Sequence, residues 1–353
     1  MRNMKASSAM LCLREIDELF RPFTHRKLTM SSRLVMSPMI RLRSRDSASA
    51  QEVLQYYSVR ASHHLGLIIT EPLAVNDSAA ALNDDMSLFY GGSSLRMWKG
   101  VCRAVHAFPG RIAPQLFHAG MLRTDENAVG PSGIDPTTGQ RRTEAMSRSR
   151  MQDVVSAFAQ GAGLARMLGF DAVEICGGQG GLIDQFLRPE TNHRSDEYGG
   201  SLLARTRFAC DVLHAVRKAV GRNFPIIFRL SFRMPENPDA RLVHTPEELC
   251  ELLTPLCNAG VDIFAVDDSG VGAPFHGNAL GFAGWVKLLS GRPVIIGSDA
   301  AAHAGTLEIL SRRLAAHEFD RVAVGRALLA DAEWGRKVRE SRMNEIHLFL
   351  PDM

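Results

Sequence analysis

The chain has 353 residues, 45% hydrophobic and 22% charged, which gives ample apolar material for a large core and excludes a mostly disordered chain. Its 41 Lys and Arg against 38 Asp and Glu leave a net charge of +3, and no basic run with interleaved aromatics is present, so nucleic acid is not an implied partner. Six cysteines (Cys12, Cys102, Cys176, Cys210, Cys250 and Cys257) stand apart, with no CxxC pair and no Cys/His cluster at metal-ligand spacing; no metal is expected, and a reduced, cytoplasmic setting fits.

In chain order, the first feature is an apolar run of five residues from Ala9 to Leu13, cut off by Arg14 and too short for a signal-peptide core. No later stretch approaches the roughly 18 to 20 apolar residues that cross a bilayer, so a soluble protein is expected. Residues 1–18 read as an N-terminal extension, 19–335 as one domain and 336–353 as a C-terminal tail. Within the domain, short Val- and Ile-rich runs alternate with longer helix-patterned segments. The runs are Leu34 to Met36, Leu67 to Ile69, Ile112 to Phe117, Ala172 to Ile175, Ile226 to Leu230, Ile263 to Val266, Val294 to Ile296 and Val322 to Val324. Turn signals bound several of them, such as LGFD before the fourth and NAGVD before the sixth. Eight strands with intervening helices are the count of a (β/α)8 TIM barrel, an α/β fold. A doubly wound sheet is the alternative, but no GxGxxG follows the first strand. Leu122 to Arg150 and Arg233 to His244, rich in turn-forming residues, read as long excursions that shape or cover a pocket on the C-terminal face.

In a barrel, whatever follows each strand converges on one site. Here those residues are Ser37-Pro38-Met39-Ile40, Thr70-Glu71-Pro72, Gln115 with His118, Cys176 to Gly181, Arg229, Asp267-Asp268, Gly297-Ser298 and Gly325-Arg326. The last two pairs offer backbone N–H groups, a helix start and a guanidinium, which together make a phosphate cradle. Arg229 ends an apolar strand and needs an anionic or hydrogen-bonding partner. A core salt bridge is the alternative to a bound anionic ligand there.

The segments SRLVMSPMIRLRS, GLIITE, APQLFHAG and RVAVGRALLADAEW resemble, in order, motifs of the old yellow enzyme family of FMN-dependent oxidoreductases. The most specific match is DQF-L-P-TN-R-DEYGGS, nearly complete from Asp184 to Ser201 within a likeness running from about Leu19 to Trp334. The resemblance implies a barrel that binds FMN and draws on NADPH or NADH. It places Ser37, Pro38, Met39 and Ile40 beside the flavin ring, Pro72 near its reactive edge, Gln115 on its pyrimidine part and Arg229 by N1 and O2. Gly297, Ser298, Gly325 and Arg326 would hold the phosphate. Asp184, Asn192, Arg194, Asp196 and Tyr198 belong to the signature and are expected to lock the loop after the fourth strand. Small-molecule substrates are implied, and a homodimer is possible.

One segment departs from the pattern. Relatives read roughly HGAHGYL after the fourth strand, with two donors for a substrate carbonyl and a Tyr that protonates the alkene. This chain has Cys176-Gly177-Gly178-Gln179-Gly180-Gly181-Leu182. Enolate charge built by hydride addition would lose those donors, so ordinary ene-reductase activity on simple enones is expected to be poor. Cys176, Gln179 and Gly181 are the candidate substrate-binding residues, with His118 and His276 as further ones, and Gln179 and Cys176 are the candidate catalytic side chains. The glycine-rich run suggests extra room and a larger, specialised substrate such as a biosynthetic intermediate. Ile40 stands where relatives tune the flavin with Thr or Cys, and Asp267-Asp268 where they have small polar residues. The competing classes are an isomerase or lyase on the same scaffold, and an FMN-binding protein that has lost catalysis.

Overall fold

The computed structural model describes residues 16–40, 50–135, 137–234, 237–267, 274–277, 280–298 and 304–347. Eight strands, β3 (Leu34–Met36), β4 (Leu67–Ala74), β5 (Arg111–Phe117), β6 (Val173–Cys176), β7 (Ile226–Ser231), β10 (Ile263–Asp267), β11 (Val294–Ser298) and β12 (Arg321–Val324), close into one parallel barrel in that order. Each of the eight apolar runs falls on one of these strands, with only Ala172 of the fourth run lying one residue before its strand. Residues Thr70 to Pro72 fall inside β4 rather than after it, and the pairing with β5 shifts register between Ile69 and Pro72. Such an irregularity re-aims side chains next to a barrel mouth.

Capping chemistry sets the helices between the strands. The Ser147 hydroxyl accepts from the Arg150 N–H at 3.2 Å to start Arg148–Leu168, which Gly169 closes in the left-handed region at φ 96. Thr245 starts Pro246–Ala259 and Gly260 ends it at φ 114. These two glycines are the physical content of the LGFD and NAGVD turn signals. Among the described residues no helix is long and apolar enough to cross a membrane.

The core has two layers. Outside the barrel, helix faces pack on the sheet; inside, Val35, Leu67, Ile69, Ile227, Ile263 and Ile295 form a separate cluster that also contains Leu28 and Met30. Those last two come from an antiparallel hairpin, β1 (Phe23–His25) with β2 (Leu28–Met30), that closes the N-terminal end of the barrel. Alternation buries Leu28 and Met30 and leaves Thr29 exposed. At the opposite end the excursion after β7 is itself a hairpin, β8 (Arg233–Met234) with β9 (Asn237–Arg241).

Candidate active site

Strand alternation decides which side chains reach the mouth. Ala113, Ala172, Ile227, Ala265 and Ile295 point into the barrel. Two residues on, the same face carries Gln115, Glu174, Arg229, Asp267 and Gly297; Cys176 and Ser231 share it one step further out. A single inward face therefore delivers an amide, two carboxylates and a guanidinium to one place.

They are bonded to one another. Arg229, 1% exposed, donates from Nε to Glu174 Oε1 at 2.8 Å, from Nη2 to Glu174 Oε2 at 3.3 Å and from Nη1 to Asp267 Oδ1 at 2.5 Å. Burial alone would lower the guanidinium's pKa, but Asp267 and Glu174 outweigh it and hold the cation more firmly charged than usual. Burial pushes the Glu174 carboxyl up, against the pull of Arg229 and of the Gln115 amide. Gln115 Nε2 donates to Glu174 Oε1 at 2.6 Å, while its Oε1 is buried with no partner among the described residues. Leaving such an acceptor unmet costs about 1–3 kcal/mol, so the position suits a ligand that brings an N–H.

Asp267 has two further hydrogen-bond partners. Its Oδ2 accepts from Gln179 Nε2 at 3.0 Å and from Ser231 Oγ at 3.2 Å, and Ser231 Oγ in turn accepts from the Gln179 N–H at 2.9 Å. A carboxylate can only accept, so the Gln179 amide must turn its nitrogen toward it. Gln179 sits at φ 57, half-buried. One of its amide hydrogens is thus committed to the protein rather than to a substrate.

The neighbouring glycines do not open space. A Cβ at Gly177 would lie 2.3 Å from Phe228 Cζ, one at Gly178 would lie 2.5 Å from Ser231 Oγ, and one at Gly181 would lie 2.9 Å from Phe117 Cε2 and 3.2 Å from the His118 carbonyl. The expectation of extra room at these positions is therefore corrected: the run is glycine-rich because its backbone lies directly on β7 and β5. Cys176 is 2% exposed, its thiol pushed up to about 12 by burial and bonded to the Gly178 carbonyl at 3.5 Å. It is a protonated, packed thiol with no thiolate to offer.

Both ring nitrogens of His118 are in use: Nδ1 accepts from the Gly120 N–H at 3.0 Å, and Nε2 lies 3.2 Å from Asp77 Oδ1. Burial lowers its pKa, so the ring is neutral and the proton sits on Nε2. Burial alone would raise Asp77, but hydrogen bonds from His118 and Arg150 hold it well below the usual carboxylate range. His276 is exposed at φ 53 in the short segment 274–277. The structure thus brings Cys176, Gln179 and Gly181 together at the mouth, with the His118 carbonyl close to Gly181 and Phe275, beside His276, packed on Phe232.

At the other side of the mouth, Ser298 pairs with Val324, so Gly297-Ser298 and Gly325-Arg326 end adjacent strands. Gly325 is buried at the start of Arg326–Ala330, and Arg326 is exposed. Ser37 continues the β3 line, its N–H donating to the Val324 carbonyl at 2.9 Å; Pro38 is buried, Met39 and Pro72 are half-buried, and Ile40 is 57% exposed. Asp268 lies outside the described residues. The signature residues lock the loop after β6: Asp184 pairs with Arg188 at 2.7 Å, Asn192 Nδ2 donates to the Phe186 and Tyr198 carbonyls at 2.7 Å, Arg194 reaches Asp196 and the Pro131 and Met146 carbonyls, and Tyr198 Oη donates to Asp211 at 2.9 Å. Sequence reasoning missed Glu174 and Ser231, although counting by twos from the inward apolar residues reaches both.

A family model described as the NADH:flavin oxidoreductase / NADH oxidase family matches residues 18–345. An NADH oxidase of Thermoanaerobacter brockii is 30% identical over 336 residues, 90% of this chain but 50% of that protein, so the chain spans about half that relative's length. An NADPH dehydrogenase of Clostridium acetobutylicum is 28% identical over 342 residues, 95% of this chain and 97% of that protein. Among solved structures, morphinone reductase in complex with tetrahydroNAD superposes with a TM-score of 0.79 at 25% identity, covering 95% of this chain and 93% of that one. An old yellow enzyme from Pichia sp. AKU4542, at 21% identity and a TM-score of 0.79, covers 95% and 89% and shows the same fold.

Proposed function

This chain belongs to the NADH:flavin oxidoreductase / NADH oxidase family, and on that premise we propose that it is an FMN-dependent oxidoreductase, supplied by NADH or NADPH, that moves hydride to or from a specialised organic substrate rather than a simple enone. The observation that carries the cofactor half of this reading is Gln115, whose buried Oε1 has no donor among the described residues. A flavin pyrimidine edge carries an N–H of the kind this acceptor lacks, and Arg229 lies in the same bonded network through Glu174. Bound there, FMN would supply a ring able to accept and return hydride. Gly297, Ser298, Gly325 and Arg326 would hold its phosphate, with Ser37 to Ile40 and Pro72 along the ring.

The substrate half rests on what the chain's own side chains can do. Gln179 keeps one amide N–H and its carbonyl oxygen for a substrate, and neither titrates. Cys176 stays protonated and serves as a wall. The described tyrosine hydroxyls with assigned bonds are engaged elsewhere, Tyr57 Oη accepting from the Glu71 N–H and Tyr198 Oη donating to Asp211. A proton added to the product would come from a donor elsewhere in the mouth or from water. A carbonyl substrate gripped by one amide gains less stabilisation of a developing enolate than one held by two strong donors.

The test is anaerobic addition of NADH or NADPH to the FMN-loaded protein, followed by cyclohexenone. The visible flavin band should bleach with the nicotinamide and recover slowly, if at all, with the enone. A band that no reduced nicotinamide changes would contradict the oxidoreductase reading, and rapid recovery with cyclohexenone would contradict the specialised substrate.

A further inference from the structure

The two carboxylates on Arg229 are not equivalent. Glu174 is fully buried behind the guanidinium, whereas the Asp267 side chain is 27% exposed and covers the outward nitrogen Nη1. Three contacts besides the ion pair fix Asp267 there: the Gln179 amide, the Ser231 hydroxyl, and Gly297, at which a Cβ would come 2.8 Å from Asp267 Oδ1. Glycine at 297 is what lets the carboxylate lie against the arginine. The result is one cation bonded to two acidic side chains, at the end of the barrel where the Gln115 oxygen is without a partner among the described residues.

Resting on the reading that this mouth holds FMN, we propose that Asp267 is a positioning residue that engages Arg229 in a closed ion triplet and so makes the bound flavin harder to reduce. A reduced nicotinamide gives up hydride, becoming the oxidised nicotinamide, and the flavin takes both electrons with one proton. The reduced ring then holds one more negative charge, gathered at its pyrimidine edge. A free guanidinium would stabilise that charge; one already bonded to Glu174 and Asp267 stabilises it less. The same residue ties Gln179 to the cofactor side, so a single substitution acts on both halves of the mouth.

The experiment is the two-electron midpoint potential of bound FMN, measured by anaerobic equilibration with a reference dye, in wild type, Asp267→Asn and Asp267→Ser. Asn keeps the size without the charge, and Ser removes the reach to Arg229 should the amide pack badly. Both potentials should be more positive than wild type by at least about 30 mV, roughly a tenfold rise in the reduced-to-oxidised ratio at fixed potential. Potentials unchanged or more negative in the variants would overturn the proposal. A wild-type protein that takes up no FMN would remove its premise, so the two failures are told apart before any variant is measured.

Discussion

The barrel encloses two buried arginines on inward positions, one at each end, and they are treated in opposite ways. Arg229, at the mouth, is enclosed by Glu174 and Asp267 and is held firmly charged. Arg321 begins β12 at the floor, fully buried, with Nε, Nη1 and Nη2 all lacking a hydrogen-bond partner among the described residues. Its guanidinium lies 3.8 Å from the centre of the Phe23 ring on the closing hairpin, and burial pushes its pKa down to about 9. Identical chemistry at identical strand parity thus makes a compensated charge at the mouth and an uncompensated one at the floor. A buried cation becomes useful only when the protein also builds the acceptors that fix it.

The largest break in this comparison is Arg229→Ala. It strands the fully buried Glu174 without its cation, which should cost about 3–5 kcal/mol in chemical denaturation and abolish FMN retention. A variant within about 1 kcal/mol of wild type would show that the triplet is not what holds the mouth. Gly181→Tyr comes next: the contacts with Phe117 and the His118 carbonyl predict a loss of about 1–3 kcal/mol from overpacking, so the missing tyrosine cannot be restored by that change alone. Equal stability would mean that the loop yields freely.

Arg321→Met should run the other way, raising stability by about 1–2 kcal/mol once the lost cation–π contact is set against the relieved burial. Here pH sharpens the comparison. The folded-state pKa lies below the ordinary value of 12.5, so above about pH 9 the folded wild type sheds a proton that the unfolded chain keeps, and wild-type stability rises with pH. The advantage of the methionine variant should therefore shrink as pH climbs past about 9, as read by thermal melts in matched buffers. A gap that stays constant or widens would mean that Arg321 is not destabilised by burial.

The barrel was legible because each strand carries a short apolar run and turn signals bound several of them; Gly169 and Gly260 do in the structure what LGFD and NAGVD announce. The floor hairpin was not, since two three-residue strands around Arg26 and Lys27 offer only Leu28 and Met30 as fully buried anchors. At the mouth, Gln115 and Arg229 could be named from the sequence, but not what they touch. Glu174, Arg229 and Asp267 are far apart in the chain, and only closure of the barrel shows that the partner expected for Arg229 is a pair of acidic side chains, Glu174 and Asp267. The glycine run misled for a related reason: absent side chains read as space until the backbone is seen resting on Phe228 and Ser231.

The central claim is that the cofactor half of the mouth is intact although the substrate half is rebuilt. Titration of the flavin-stripped protein with FMN, followed by quenching of flavin fluorescence, tests it most directly. Binding should saturate at one FMN per chain and weaken at least tenfold in Gln115→Leu, which removes the waiting carbonyl oxygen, a loss of about 1.4 kcal/mol. No saturable binding, or affinity unchanged in Gln115→Leu, would contradict the account.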